Sequence, residues 1–119
     1  MPIHKSSTNR DVQLAAKLFR GLGDPTRLAI LDAIAEEGEL RVTDLLVRVG
    51  GSQANVSGHV ACLKDCGLVV DRPEGRQVFY SISDPVVVAA LRGAEAVLAL
   101  SGERIALCPN YRMPGRKGR

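Results

Sequence analysis

The sequence predicts a mainly α-helical domain carrying one small β-hairpin. Three observations support this. Apolar residues recur at helical spacing in successive stretches between residues 12 and 100, Asp-Pro pairs and glycines punctuate those stretches, and one segment, "LVVDRPEGRQVFYSI", changes to an alternating pattern. A chain of 119 residues makes one ordinary domain. Hydrophobic residues reach 45%, but aromatics only 3% with no tryptophan, so the core must be built from Leu, Val, Ile and Ala.

Residues 1–10 are polar and are expected to form a flexible N-terminal segment. The stretch "DVQLAAKLFRGLG" places Val12, Ala15, Leu18, Phe19 and Leu22 on one helical face before Gly21 and Gly23 break it. "DPTRLAILDAIAEEG" opens with Asp24 as N-cap and Pro25 in the first turn and closes at Gly38. Its candidate buried residues are Leu28, Ile30, Leu31 and Ile34. A short helix in "VTDLLVRVG" is expected to be capped by Thr43 and ended by Gly50 and Gly51. Ser52 then begins "SQANVSGHVACLKDCG", whose residues Val56, Val60 and Leu63 form one stripe at about 100° per residue. The hairpin follows, with a Pro-Glu-Gly turn and with Val78, Tyr80 and Ile82 on one face. The last helix, "DPVVVAALRGAEAVLAL", is apolar on more than one stripe, as a helix with two partners would be: its own core and another subunit. The folded domain is therefore expected to cover 11–101, with a Pro/Gly-rich, basic tail at 102–119 carrying Cys108.

Composition narrows the function. A net charge of +3 and an isoelectric point near 9.0 mildly favour a polyanionic partner. The sequence is expected to hold no apolar run of the roughly 20 residues a membrane helix needs, so no membrane partner is expected. The N-terminus lacks the apolar centre of a signal peptide, which makes a cytoplasmic location the expectation. Thiols there stay reduced, so the three cysteines read as ligands, reactive groups or core filler before disulfides.

Two helices, a glycine-marked turn and a second helix with a polar face make a helix-turn-helix, and the basic hairpin after it makes the winged form. The second helix suits the DNA major groove, where Ser52, Gln53, Asn55, Ser57 and His59 offer side chains to base edges or phosphates. Small Ala54, Gly58 and Ala61 allow close approach. On the hairpin, Arg72, Arg76 and Gln77 are placed to reach adjacent phosphates or the minor groove. The plainer alternative is a small helical domain with solvated polar faces.

With these landmarks in order, the stretches "LGDPTRLAILDAI", "SQANVSGHVACLKDCGLV" and "EGRQVFYSI" resemble the ArsR/SmtB family of small winged-helix repressors from about residue 12 to 100. The resemblance implies a homodimer on double-stranded operator DNA that a metal or other effector releases.

Cys62 and Cys66 lie four residues apart on the predicted recognition helix, about 40° apart around the axis and about 6 Å along it. Two sulfurs at that spacing reach one ion across bonds of about 2.3 Å for zinc. They flank the Val56/Val60/Leu63 stripe and are expected to be shielded. Cys108, just past the last helix, is a third thiol. Such a set favours the soft ions Cd(II), Pb(II) or As(III), with Zn(II) as an alternative. The alternative for the pair is two small side chains that fill the core. Within the family the layout resembles the CmtR-like, cadmium- and lead-responsive subgroup, which implies that Cys62, Cys66 and Cys108 are the metal ligands and that Cys108 comes from the opposite protomer.

The family's other metal sites have no counterpart. Where some members carry cysteines in an "ELCVCDL"-like stretch, this chain has "ELRVTDL", with Arg41 and Thr43. The last helix offers Asp84 and Glu95 but no histidine for a zinc site. His59 matches the family's DNA-helix histidine, so a structural or DNA role outweighs metal ligation. His4 would be at most a weak fourth ligand, and Arg112, Arg116, Lys117 and Arg119 read as a solubilising basic end. An arsenite- or redox-responsive repressor would use the same thiols. A thiol enzyme fits poorly, because Cys-x-x-Cys, a glycine-rich phosphate cradle and a Ser/His/Asp set are all missing; no enzymatic activity or small-molecule substrate is expected.

Overall fold

The computed structural model describes residues 9–107, with side chains up to Ile105. In chain order the elements are α1 (Asn9–Leu22), α2 (Pro25–Glu37), α3 (Val42–Val49), α4 (Gln53–Asp65), β1 (Val69–Glu74), β2 (Gln77–Ile82) and α5 (Pro85–Leu107). This is the winged helix-turn-helix: α3 and α4 form the helical pair, and the antiparallel β1–β2 ribbon is the wing.

Local chemistry sets the boundaries. The Asp24 carboxylate accepts from the backbone N–H of Thr26 at 2.9 Å and of Arg27 at 3.1 Å, which caps α2 behind Pro25. Gly38, at φ 92°, ends that helix and donates its N–H to the Ile34 carbonyl at 2.7 Å. The start of α3 differs from expectation: Arg41, not Thr43, is the N-cap. Asp44 in the first turn accepts the Arg41 backbone N–H at 2.9 Å and its guanidinium at 3.0 and 2.8 Å. A carboxylate there also meets the positive end of the helix dipole, and the paired hydrogen bonds from Arg41 hold Asp44 down at about 2.

The core gathers one face of each element around α2: Ile30, Leu31, Ala33 and Ile34 meet Leu45, the Val56/Val60/Leu63 stripe of α4, Val69 and Leu91. Leu28 falls outside it, because it lies about 120° around α2 from Ile34 and faces outward.

The wing also departs from the predicted turn. Glu74 pairs with Gln77, so the turn is the two-residue Gly75–Arg76, and Pro73 sits within β1 opposite Val78. Gly75 takes φ +63° at the first central position, which suits a tight hairpin, and a proline is tolerated in a ribbon whose strands are both edges. Leu40 and Tyr80 exchange backbone hydrogen bonds of 3.0 and 2.8 Å, which fasten the wing to the segment before α3.

Helix α5 runs to Leu107, past the boundary expected at 101. The Ser101 hydroxyl donates to the Val97 carbonyl at 3.1 Å inside the helix, so the Ser-Gly pair does not end it. This length overturns a second expectation: over Pro85–Ile105 the mean hydropathy is 1.4, enough by length and composition to cross a membrane. In sequence the charges at Arg92 and Glu95 interrupt that run. Yet among the described residues of α5 only Leu91 is buried, while Val86, Val97, Leu98 and Leu100 are exposed. Helix α1 buries no residue fully and exposes Val12, Leu18 and Phe19.

Candidate nucleic-acid interface and thiol site

Helix α4 divides its chemistry by face. The core stripe points inward. Opposite it, Ala54, Gly58 and Ala61 leave a low, exposed surface. On one flank lie Gln53, exposed, and Ser57, half-buried; on the other lie Asn55, exposed, and half-buried His59, followed by Cys62 and Cys66. The Ser52 hydroxyl accepts the Asn55 backbone N–H at 3.0 Å, so Ser52 serves the helix cap.

Gln53 shares a cleft of about 380 Å³ with Arg76 and Gln77 of the wing and with Arg41 and Thr43 of α3. The fold therefore unites the first turn of α4 with the wing tip. Arg76 makes no ion pair among the described residues. Arg72 is differently engaged. It donates to both Glu39 oxygens at 2.9 and 2.8 Å and to Glu74 at 3.0 Å, and its guanidinium stacks 4.9 Å from the Phe79 ring centroid. Arg41 approaches the same ring at 5.9 Å. Hydrogen bonding to Arg72 lowers the Glu39 carboxyl below its ordinary range. Arg72 is thus a strut bracing the wing against the segment before α3, with its donors committed to carboxylates.

The two cysteines are free thiols, one helical turn apart, and both line the same cleft. Cys62 is half-buried, but Cys66 is exposed, contrary to the shielding expected for both. The reason is that α4 ends at Asp65: Cys66 is the C-cap, its N–H donates to the Cys62 carbonyl at 3.0 Å, and no further turn covers its side chain. Partial burial and the neighbouring Cys62 raise the Cys66 thiol above its ordinary range, while the Arg27 charge pulls it down. The pair opens into a cleft of about 630 Å³ whose apolar lining includes Leu14, Leu18 and Leu22 of α1 and Leu63 of α4. Lys17, Arg20 and Arg27 bring positive charge to the same cleft. Two free thiols one turn apart over an apolar floor suit a soft cation.

His59 is not among the residues lining that cleft. Its Nδ1 accepts from Arg27 Nε at 3.2 Å, joining α4 to α2, which leaves Nε2 as its remaining donor. Among the described residues no third His, Cys, Asp or Glu completes a ligand group with the pair. Cys108 and His4 lie outside the described residues, as do Arg112, Arg116, Lys117 and Arg119. Sequence reasoning missed Arg27 and Arg41. In sequence Arg27 is only the polar residue after a helix cap; its approach to Cys66 and His59 depends on how α2 packs on α4.

The chain matches known proteins along its DNA-reading core. The sequence model for "Bacterial regulatory protein, arsR family" matches residues 24–70, from the cap of α2 into β1. A "probable mercury resistance operon repressor" of Streptomyces lividans is 38% identical over 100 residues, 84% of this chain and 78% of that one. The transcriptional regulator CmtR of Mycobacterium tuberculosis is 45% identical over 76 residues, so that the match spans 64%, just under two thirds, of each chain. Among solved structures, the homodimeric winged helix-turn-helix DNA-binding domain of Mb0332 from Mycobacterium bovis superposes with a TM-score of 0.67 at 27% identity, covering 83% of this chain and 95% of that one. The fold, the reading helix and these likenesses agree: the chain belongs to the arsR family of bacterial regulatory proteins and is a transcription regulator, not an enzyme.

Proposed function

We propose that the chain is a cytoplasmic, metal-responsive repressor that binds operator DNA as a homodimer and leaves it when a soft ion, Cd(II) or Pb(II), is held by the thiolates of Cys62, Cys66 and Cys108. The observation that carries this reading is the pair of free thiols that line one cleft at the end of α4, the helix whose exposed Gln53 and Asn55 suit base edges. An ion held there acts on the reading helix itself. Gln53, Asn55 and Ser57 read bases; Ser52 and His59 add donors at the helix surface; Arg76 and Gln77 at the wing tip hold phosphates or the minor groove, with Arg72 bracing the wing behind them. The exposed apolar faces of α1 and α5 supply the surface for a second copy, in keeping with the homodimeric relative. Cys108 follows α5 directly and brings the third thiolate from the opposite protomer.

The test uses two measurements. Anaerobic titration of the protein with Cd(II) should raise an ultraviolet sulfur-to-metal charge-transfer band, and the same ion should release a labelled operator duplex, selected from a random-sequence library, in fluorescence anisotropy. Parallel titrations with Pb(II), As(III) and Zn(II) rank the effectors. A protein that binds operator DNA yet gives no charge-transfer band with any of these ions overturns the reading.

A further inference from the structure

We infer that Arg27 is the positioning residue that passes effector binding at the thiol pair to the DNA-reading helix; this rests on the proposal that Cys62 and Cys66 hold the effector. Arg27 stands where three helices meet. It belongs to the first turn of α2 and is half-buried. Its Nε donates to His59 Nδ1 on α4 at 3.2 Å, and its Nη1 donates to the Gly21 carbonyl in α1 at 3.3 Å. The same side chain lines the cleft into which Cys62 and Cys66 open.

Its partners are unusual for this protein. Arg41, Arg48, Arg72 and Arg92 each bind a carboxylate. Arg27 makes no ion pair among the described residues; two uncharged acceptors, both at long hydrogen-bond distance, hold it. Lys17 and Arg20 add positive charge to its cleft. A half-buried cation in that position gains strongly from an anionic acceptor, because charge-assisted hydrogen bonds are about twice as strong as neutral ones. The thiols are weak, uncharged acceptors; thiolates around a soft ion are charged ones.

Effector binding therefore offers Arg27 a better partner on the sulfur side of the same guanidinium. Turning toward it loosens the bonds to His59 and Gly21, which tie α4 to α2 and α2 to α1. His59 lies one turn along α4 from Asn55, so the freed restraint is on the surface presented to DNA. The ion then favours an arrangement of α4 that the operator does not, which is what release requires.

The experiment compares the full chain with Arg27→Gln, which removes the charge, and Arg27→Lys, which keeps it. Two quantities are read: the Cd(II) charge-transfer band, and the ratio of operator affinities without and with Cd(II). In the wild type that ratio should be about 100-fold, and Arg27→Gln should keep the band while its ratio falls below about 10-fold, with Arg27→Lys between them. A ratio for Arg27→Gln within about two-fold of wild type overturns the inference, on the same scale of couplings. Should Arg27→Gln fail to fold, nitrogen NMR of wild-type His59 decides: its Nδ1 resonance should shift when Cd(II) breaks the Arg27 hydrogen bond, and an unmoved resonance overturns the inference. Absence of a charge-transfer band in the wild type overturns the thiol reading and this inference together, whereas a band with an unchanged ratio overturns this inference alone.

Discussion

Cys62→Ser and Cys66→Ser should silence the metal response while leaving the fold and metal-free DNA binding intact, and Val60→Ala, on the same helix, should do the reverse. Val60 is 1% exposed. Its replacement by alanine removes two buried carbons at about 0.8 kcal/mol each and leaves a cavity, for a total of about 2 kcal/mol. The cysteines stand outside the buried stripe. Cys66 is exposed, so serine there should change stability by no more than about 0.5 kcal/mol. Cys62 is half-buried, and its cost should be about 1 kcal/mol or less. In a domain of this size 1 kcal/mol moves the melting temperature by about 4–8 °C, so Val60→Ala should melt about 10 °C below wild type and the serine variants within a few degrees of it. Circular dichroism melts at one protomer concentration, since dimer stability depends on it, give the first half of the test. Operator anisotropy with and without Cd(II) gives the second. Either serine variant melting as low as Val60→Ala would refute the packing argument. Full metal-driven release by both serine variants would refute the assignment of the ligands.

The two halves of the DNA face should respond differently. Arg76→Ala should weaken all DNA sequences alike and lower the salt slope of binding by about one unit, while Gln53→Ala should erode discrimination between sites by about 1–3 kcal/mol, both read from titrations at several salt concentrations. Leu100→Glu, at a position 88% exposed in the protomer, should leave the protomer folded and abolish the dimer in sedimentation velocity; an intact dimer would exclude that face. Acid should destabilise the α3–wing junction: the Asp44 carboxyl lies at about 2 against an ordinary 3.8, and Glu39 is lowered too. A group lowered in the folded state lends stability that is present above its unfolded value and is lost as pH falls through its folded one. The loss should therefore run from about pH 4 down to about pH 2, and Asp44→Asn should flatten it in acid melts.

The elements that sequence read well were those whose signal is local. The Asp24–Pro25 cap, the glycine stop at Gly38 and the Val56/Val60/Leu63 stripe each depend on a few neighbours in the chain, and each stands as the spacing predicted. The misreadings came where partners distant in sequence decide. Thr43 looks like a cap, but Arg41 and Asp44 close on one another first. The brace that Glu39, 33 residues earlier, sets on Arg72 has no local signal. Cys66 looked shielded because a wheel has no ends, and α4 ends there. The helical spacing of the thiols was legible; the cations around them were not, because α1 and α2 bring them.

The exposed apolar surface of α5 has two physical outlets, a bilayer or a second copy of the chain, and the ion pairs decide between them. Arg92, near the middle of the apolar span, donates to Asp32 of α2 at 3.2 Å and to Glu95 at 3.0 Å, and its neighbour Leu91 is buried in the core. Moving that arginine to a bilayer centre costs at least about 2.5–3.5 kcal/mol, and it would also strip Asp32 of its partner and Leu91 of its packing. A second copy needs none of this, because it would cover Val97, Leu98 and Leu100 while α5 stays on its own domain. Helix α1 belongs to the same argument. It exposes Val12 and Phe19, yet its Leu14, Leu18 and Leu22 wall the thiol cleft. A dimer that covers α1 from outside therefore sits one helix away from the thiols inside. In the proposed dimer, any ligand that changes the fit of α1 against α4 would change the surface on which the partner rests, and with it the spacing of the two reading helices along DNA.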